Sequence, residues 1–437
     1  MAFTDAPKTA GKMSYLSRLM NKTKRKAAGM PISTNYQKPD GARIVLERAG
    51  IEGVNYWGPT VEQALAEACK IVPPTTNGWL QKIAEPLDGP LAFHTLYPGA
   101  PARSLGKPNY LNGRPDYFPD IAGEWPSQEA PYKYAVIDGG YFAALPDVPT
   151  FFTSDRRMLD YAGSKYRSLI NYYDVDLRKT LDAAAYHDCT ALVIVDDIWE
   201  MNYCHWLCDW LPRLVVCQKA FPGEKIRIVT NQIVSPAQRD SLRLLGFAEE
   251  DIIPFQRMQA GQFRRLIAPN DLGQVNHPAH KGAPWAIDYL KTVLANNDPD
   301  HFEYPENIYI SRKDAPGRKL LNEEAFVAEV EKLGFKTVIL GEHPFLRQAK
   351  LFRNARRIIG IHGAGLTNIV FSTPATKLLE VTPSTYGMPT FFILSGAQGI
   401  DYATYITEAE PGPFAPPHNL IVEIDDFLAR AKPFFGL

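Results

Sequence analysis

The chain has 437 residues, of which 45% are hydrophobic and 22% charged, so it can bury large cores and reads as two or three globular domains. A net charge of -1 and a pI near 6.8 argue against a broad nucleic-acid surface. No apolar run is long enough to span a bilayer.

Residues 1–30 are basic, with Lys8, Lys12, Arg18, Lys22, Lys24, Arg25 and Lys26 against Asp5 alone. Tyr15, Leu16, Leu19 and Met20 suit one face of a short amphipathic helix that could rest on an anionic membrane surface. A solvated, partly disordered tail explains the same charges. No signal-peptide pattern is present at this end. The five cysteines, Cys69, Cys189, Cys204, Cys208 and Cys217, are odd in number and unevenly placed, which points to reduced thiols in a cytosol. Residues 31–125 are rich in Pro, Gly and Tyr, and read as an extension that is attached to the core or covers it. Within them only Thr60 to Ile71 looks helical, and Leu96 to Pro101 reads as loop and turn.

From Tyr134 the pattern changes. Strands are expected at Tyr134–Gly140, Ala191–Asp197, Lys225–Thr230 and Arg265–Ala268, with helices at Asn202–Phe221 and Ser235–Leu245. Strands alternating with helices imply a parallel sheet. A loop, Gly273 to Ala286, carries His277, Pro278, His280, Gly282 and Pro284. A second α/β series follows, with strands at Asn307–Ser311, Thr337–Leu340, Arg357–Ile361, Leu378–Val381 and Tyr402–Ile406. Its helices are expected to begin at Asn322, acting as N-cap, and to cover Phe345–Ala355 and Asp425–Lys432. Four units result: a basic tail 1–30, an extension 31–125, an α/β domain 126–300 and a second α/β domain 301–437.

Three stretches carry chemistry. His362-Gly363-Ala364-Gly365 follows an apolar strand and opens a helix through Thr367 and Asn368, a pattern that brings backbone N–H groups to an anion. A tight turn without a ligand fits the same residues. Arg312, Lys313, Arg318 and Lys319 put four cations at another strand end, suited to a diphosphate, though a solvated turn has the same composition. His205 and Asp209 stand four apart on one helix face, where the carboxylate can orient the imidazole as a general base requires. The apolar company of Trp206, Leu207, Trp210 and Leu211 equally fits a core helix with a hydrogen-bonded histidine. Cys204 and Cys208 fit small apolar packing better than a metal site. Asp196 and Asp197 end a strand, where they either cap the next element or hold a divalent cation. Glu380 could accept hydrogen bonds from a ribose, or form a surface salt bridge.

Asn202-Tyr-Cys-His205-Trp-Leu-Cys-Asp209-Trp-Leu-Pro212, then Ser311-Arg312, Arg318 and Asn322-Glu323, then His362 to Asn368 and Leu379-Glu380-Val381, together resemble glycosyltransferase family 61. That family includes plant xylosyl- and arabinosyltransferases, animal GlcNAc transferases and bacterial homologues. The resemblance spans about residues 130–410, and the first 125 residues lie outside it. It implies a GT-B-like fold: two Rossmann-like domains facing a cleft, here with an irregular N-terminal extension. It implies an inverting transferase using a nucleotide-sugar donor and a glycan or glycolipid acceptor, in cell-surface polysaccharide synthesis, with xylose, arabinose or GlcNAc as candidate sugars. Arg312, Arg318, His362, Gly363, Ala364, Gly365 and Asn368 would then serve the donor, with Glu380 on the nucleoside. His205 and Asp209 would face the transfer site, with Asp197 as reserve base. No obligatory metal or cofactor is expected, although a divalent cation is compatible, since GT-B enzymes neutralise the leaving group with protein groups. The absence of the secretory signal of plant and animal members points to a bacterial-type, cytoplasmic protein, with residues 1–30 as a peripheral contact to an inner membrane. Two other functions stay open: a non-catalytic sugar-binding or scaffold protein on the same fold, and a Rossmann oxidoreductase. Asp138-Gly-Gly-Tyr-Phe lacks the Gly-x-Gly-x-x-Gly pattern of the latter.

Overall fold

The computed structural model describes residues 91–97, 100–105, 108–112, 126–129, 132–145, 148–156, 158–159, 177–194, 202–230, 235–256, 259–269, 291–292, 302–384, 388–409 and 419–437. The basic segment 1–30, the helix expected at Thr60–Ile71, Asp196, Asp197 and the loop Gly273–Ala286 lie outside the described residues.

The first strands are Leu91–Tyr97 (β1), Ala100–Ser104 (β2), Asn109–Tyr110 (β3), Pro126–Glu129 (β4), Tyr132–Asp138 (β5), Tyr141–Leu145 (β6), Val148–Phe152 (β7) and Met158–Leu159 (β8). Ala185–Val193 (β9), Ile226–Thr230 (β10), Ile252–Pro254 (β11) and Ala260–Pro269 (β12) complete the first half. Among the described residues the first sheet runs β11-β10-β9-β12-β6-β7-β8, with β5 pairing both β12 and β1. Only β9, β10, β11 and β12 are mutually parallel. β5, β6, β7 and β8 pair antiparallel, as does β1. The expected parallel sheet is therefore mixed. The reason is that β5 and β6 follow one another along β12, both antiparallel to it, with a kink at Gly139 (φ +67°) between Asp138, which pairs Arg265, and Tyr141, which pairs Gln262. β7 then folds back on β6 instead of crossing over through a helix. The expected strand Ala191–Asp197 starts earlier, at Ala185, and is described as strand to Val193.

Leu96 to Pro101 was expected as loop and turn, yet β1 runs to Tyr97 and β2 begins at Ala100. β1 adds to the first sheet through β5, whereas β3 adds to the second through its neighbour there. Pairing partners more than 30 residues away decide these strands, and local composition does not reveal them.

The second sheet uses Asn307–Ser311 (β13), Lys336–Ile339 (β14), Arg357–Ile361 (β15), Lys377–Pro383 (β16) and Asp401–Thr407 (β17). Its order is β14-β13-β15-β16-β17-β3, parallel throughout. The order of strand addition reverses between β13 and β15, since β14 lies on one side of β13 and β15 to β17 on the other, so the crevice for a ligand opens at their carboxyl ends. Ser311-Arg312 and His362-Gly363 occupy those two ends.

The helices are Leu177–Asp182 (α1), residues 203–220 (α2), Pro236–Leu244 (α3), Glu323–Lys332 (α4), Phe345–Asn354 (α5), Thr390–Gln398 (α6) and Ile424–Phe435 (α7). Ser235 closes a capping box on α3, its Oγ accepting from Gln238 N at 3.2 Å. Asn322 does not cap α4. Its Nδ2 donates to Val422 O at 2.8 Å, and its Oδ1 accepts from Val422 N at 3.2 Å. It clamps two distant chain segments, and α4 starts without a side-chain cap. Beneath α4 and α7, Phe326 stacks edge-on with Phe427 at 5.0 Å, both fully buried. Each such side chain is worth about 1.5–3 kcal/mol of burial. One buried apolar cluster joins the halves, running from Leu192, Trp206 and Leu214 to Ile308, Phe352 and Leu366. None of the described helices is long and apolar enough to cross a membrane.

Asn322→Asp separates clamp from cap. A cap tolerates the change, whereas the clamp loses a donor and sets a carboxylate against Val422 O. Chemical denaturation is expected to lose about 1–3 kcal/mol, and an unchanged or higher midpoint would return Asn322 to a capping role.

Candidate active site

Arg312 follows β13 directly, and its side chain lies across Gly363 at the end of the adjoining strand β15. A Cβ on Gly363 would fall 1.7 Å from Arg312 Nη1. Gly363 has φ 175°, an extended backbone open to any residue, so glycine is needed there for space alone. At Gly365 a Cβ would fall 2.7 Å from Leu340 Cδ1. The helix after the turn is a 3-10 helix, Ala364–Phe371, closed by Leu366 N donating to Gly363 O at 2.9 Å. The expected helix start is thus present, but with tighter winding. Its positive end faces the same ledge.

The loop beyond Arg312 is tied down at several points. Arg312 Nη2 donates to Gly317 O at 2.9 Å, Ala315 N donates to Arg312 O at 3.0 Å, and Gly341 N donates to Asp314 Oδ2 at 3.1 Å. Arg318 sits at φ +54°, a left-handed conformation that costs a non-glycine residue energy and clusters at functional sites. Of the four cations, Lys313 and Lys319 are exposed, while Arg312 and Arg318 are part-buried. Burial first, and the charge of Arg318 second, lower the Arg312 guanidinium to about 10, so it remains charged at neutral pH. Arg312 Nε has no hydrogen-bond partner among the described residues. A cation whose pKa falls on folding destabilises the chain at pH below that value, and relief comes only as pH rises past about 10. An anion bound between the two guanidiniums offsets that cost at neutral pH.

His362 is buried behind this ledge. Its Nδ1 hydrogen-bonds Glu380 Oε1, and Tyr402 Oη donates to Glu380 Oε2 at 2.5 Å. Burial, then the charge of Glu380, push the Tyr402 hydroxyl well up, so it stays a donor. Glu380 is 1% exposed and occupies both oxygens within the protein. It stands beneath His362, orienting the ring, on the side away from solvent. Asn368 is fully buried: Oδ1 accepts from Tyr203 Oη at 2.7 Å, and Nδ2 donates to Gly365 O at 3.0 Å. Its amide braces the turn from behind.

The second histidine–carboxylate pair is on α2. His205 Nδ1 lies 2.5 Å from Asp209 Oδ2, both side chains buried. An ionised carboxylate only accepts, so Nδ1 carries the proton and Nε2 is the accepting nitrogen of the ring. The expected helix Asn202–Phe221 is present, but it is α only at Tyr203–His205 and Val215–Ala220. Between these it widens to a π segment, Trp206–Trp210, then tightens to a 3-10 turn, Leu211–Leu214. Pro212 is the local cause: it lacks an N–H, and its ring would strike the carbonyl of Cys208 in a regular helix. That proline was the sequence signal for the widened turn. Such π segments recur at functional sites. Asn202 caps the first turn, its Oδ1 accepting from Cys204 N at 2.9 Å. Trp206 and Trp210 are buried core, as the apolar pattern implied, with Trp206 Nε1 donating to Ser241 Oγ at 3.0 Å. Cys189, Cys204, Cys208 and Cys217 are free thiols.

The structure therefore brings Arg312, Gly363 and Arg318 together, sets His362 with Glu380, and pairs His205 with Asp209. Tyr203, Gln348 and Tyr402 were not foreseen. A lone tyrosine or glutamine has no spacing signature, and the bonds of Tyr203 and Gln348 to Asn368 and of Tyr402 to Glu380 span 20 to 165 residues.

Residues 203–379 match the family model Glycosyltransferase 61. That segment runs from the start of α2 into β16 and holds the site residues above except Asn202, which precedes it, and Glu380 and Tyr402, which follow it. A rice (Oryza sativa subsp. japonica) protein named beta-1,2-xylosyltransferase RCN11 is 36% identical over 81 residues, 18% of this chain and 15% of its own. An Arabidopsis thaliana beta-1,2-xylosyltransferase is 35% identical over 69 residues, covering 16% and 13%. The rice beta-1,2-xylosyltransferase XAX1 is 25% identical over 253 residues, covering 52% and 44%. The chain thus spans less than half the length of each of these relatives. These matches support a glycosyltransferase. All three relatives are plant proteins, so they lend no support to the expected bacterial affiliation.

Gly363→Ala is expected to push the Arg312 guanidinium off the turn that follows β15. Calorimetry with inorganic pyrophosphate is expected to show about tenfold or greater loss of affinity with circular dichroism unchanged; equal affinity would remove this pair from anion binding.

Proposed function

We propose that the chain is an inverting glycosyltransferase of GT-B type that moves a sugar, xylose first among the candidates, from a nucleotide-sugar donor to a glycan hydroxyl. The observation that carries this is the packing of Arg312 on Gly363 at the switch point of the second sheet, beside Arg318, inside the segment that matches the family model. The sugar comes from the names of the relatives, each a beta-1,2-xylosyltransferase.

In the proposed step, His205 Nε2 takes the proton of the acceptor hydroxyl, and Asp209 holds the ring in position. The acceptor oxygen bonds to the anomeric carbon from the face opposite the diphosphate. The bond from that carbon to the phosphate oxygen breaks, and the nucleoside diphosphate leaves with the electron pair. Charge grows on the diphosphate as the bond lengthens. Arg312, Arg318 and the N-terminal end of the 3-10 helix face that charge from fixed positions, and each such preorganised group typically contributes about 3–4 kcal/mol to the transition state. His362, held by Glu380, completes the ledge. Displacement from the opposite face inverts the anomeric centre.

A thermal-shift panel of nucleoside diphosphates and nucleotide sugars, UDP-xylose included, tests the assignment. One nucleoside diphosphate is expected to raise the melting temperature of the wild-type chain, and Arg312→Ala is expected to abolish that rise. No stabilisation by any member would overturn the assignment; stabilisation without turnover of any nucleotide sugar would favour a sugar-binding protein. Transfer is expected to persist in excess chelator, read as nucleoside diphosphate released. Full loss, restored by Mn²⁺ or Mg²⁺, would make a divalent cation part of the mechanism.

A further inference from the structure

The two halves of the site are built on α2 and on the second sheet, and the Tyr203 hydroxyl is among the groups that connect them. Tyr203 begins α2, two residues before His205, and its hydroxyl donates to Asn368 Oδ1 at 2.7 Å. Asn368 belongs to the 3-10 helix that follows Gly363 and Gly365. It uses its other valences to fix that helix: Nδ2 donates to Gly365 O at 3.0 Å and to Gln348 Oε1 on α5 at 3.5 Å. Gln348 Nε2 in turn donates to His343 O at 2.9 Å, just before α5. Asn368 is 0% exposed, so no ligand competes for these atoms. Burial pushes the Tyr203 hydroxyl far above its usual range, so it remains a donor across all working pH values.

We propose that Tyr203 is a positioning residue that sets the distance between the His205–Asp209 pair and the Arg312–Gly363 ledge. At about 100° per residue, Tyr203 and His205 face different sides of the turn. Tyr203 can hold the second half while His205 keeps its ring free of that contact. The Asn202 cap makes the turn rigid, so a shift at the Tyr203 hydroxyl becomes a shift at His205. The widened segment behind it, Trp206–Trp210, has no regular α-helical ladder to oppose such a shift. In-line displacement needs the base and the leaving-group cradle in fixed register, and a misplacement near 1 Å costs about 10²-fold in rate. The inference rests on the transfer function proposed above.

Tyr203→Phe removes the hydroxyl and keeps the ring in its apolar seat. Turnover of the nucleotide sugar that the panel identifies is expected to fall about tenfold or more. Affinity for its nucleoside diphosphate is expected to stay within about twofold, because the ledge itself is untouched. A purely structural role would lower the melting temperature without that split. The cycle with His205→Gln decides it: if Tyr203 acts through His205, the double variant is no slower than His205→Gln alone, whereas independent penalties multiply. The His205 ring resonances, assigned by their loss in His205→Gln, are expected to move in Tyr203→Phe, a readout that needs no turnover. Unmoved resonances, wild-type turnover, multiplying penalties or an equal loss of diphosphate affinity would each overturn the positioning role. Failure of the wild-type chain to bind any nucleoside diphosphate would instead strike the transfer function itself.

Discussion

Everything at the candidate site depends on a guanidinium resting where a side chain is missing. Arg312 and Gly363 end two adjacent parallel strands, and the absent Cβ lets the charge lie flat on the backbone between them. Parallel pairing fixes those two strand ends within a few ångströms, and the reversal of strand order leaves the space above them open. A second arginine then adds its charge from a strained loop position. Two part-buried cations with a shared field repel one another. A doubly charged group between them is the natural counterpart.

Behind this ledge, polar side chains are arranged in pairs. Each histidine of the site gives its Nδ1 to a buried carboxylate, Glu380 in one case and Asp209 in the other. The carboxylates are too buried to meet a substrate broadly, and they act by fixing ring orientation. Tyr402 and Asn368 do the same work one layer further out. Such layering fixes the orientation of each imidazole from behind. The apolar cluster shared by both sheets holds the layers in register.

Local pattern was enough for most of the second sheet. Asn307–Ser311 and Arg357–Ile361 form as strands with the expected bounds, and α5 and α7 differ only at their ends. A parallel strand buried on both faces must be a continuous apolar run, and the helices between must be amphipathic, so both announce themselves. The first sheet was less legible. Its antiparallel part arises because β5 and β6 run in one line against β12 and β7 folds back on β6, and β1 and β3 exist because distant strands offer them partners. Asn322 illustrates the same limit, since a good capping residue was taken up by Val422 across 100 residues of chain.

The amino-acid order alone determined which residues carry charge and proton chemistry: Arg312, Arg318, His362, His205 and Asp209, each in a short local pattern. It also determined the i, i+4 pairing of His205 with Asp209, because helical periodicity is a property of neighbours. Only the tertiary structure decided that Glu380 stands behind His362, that Asn368 faces Tyr203, and that Gly363 exists to admit Arg312. Those are contacts between residues far apart in sequence, and they are set by sheet order and packing, which no local spacing encodes.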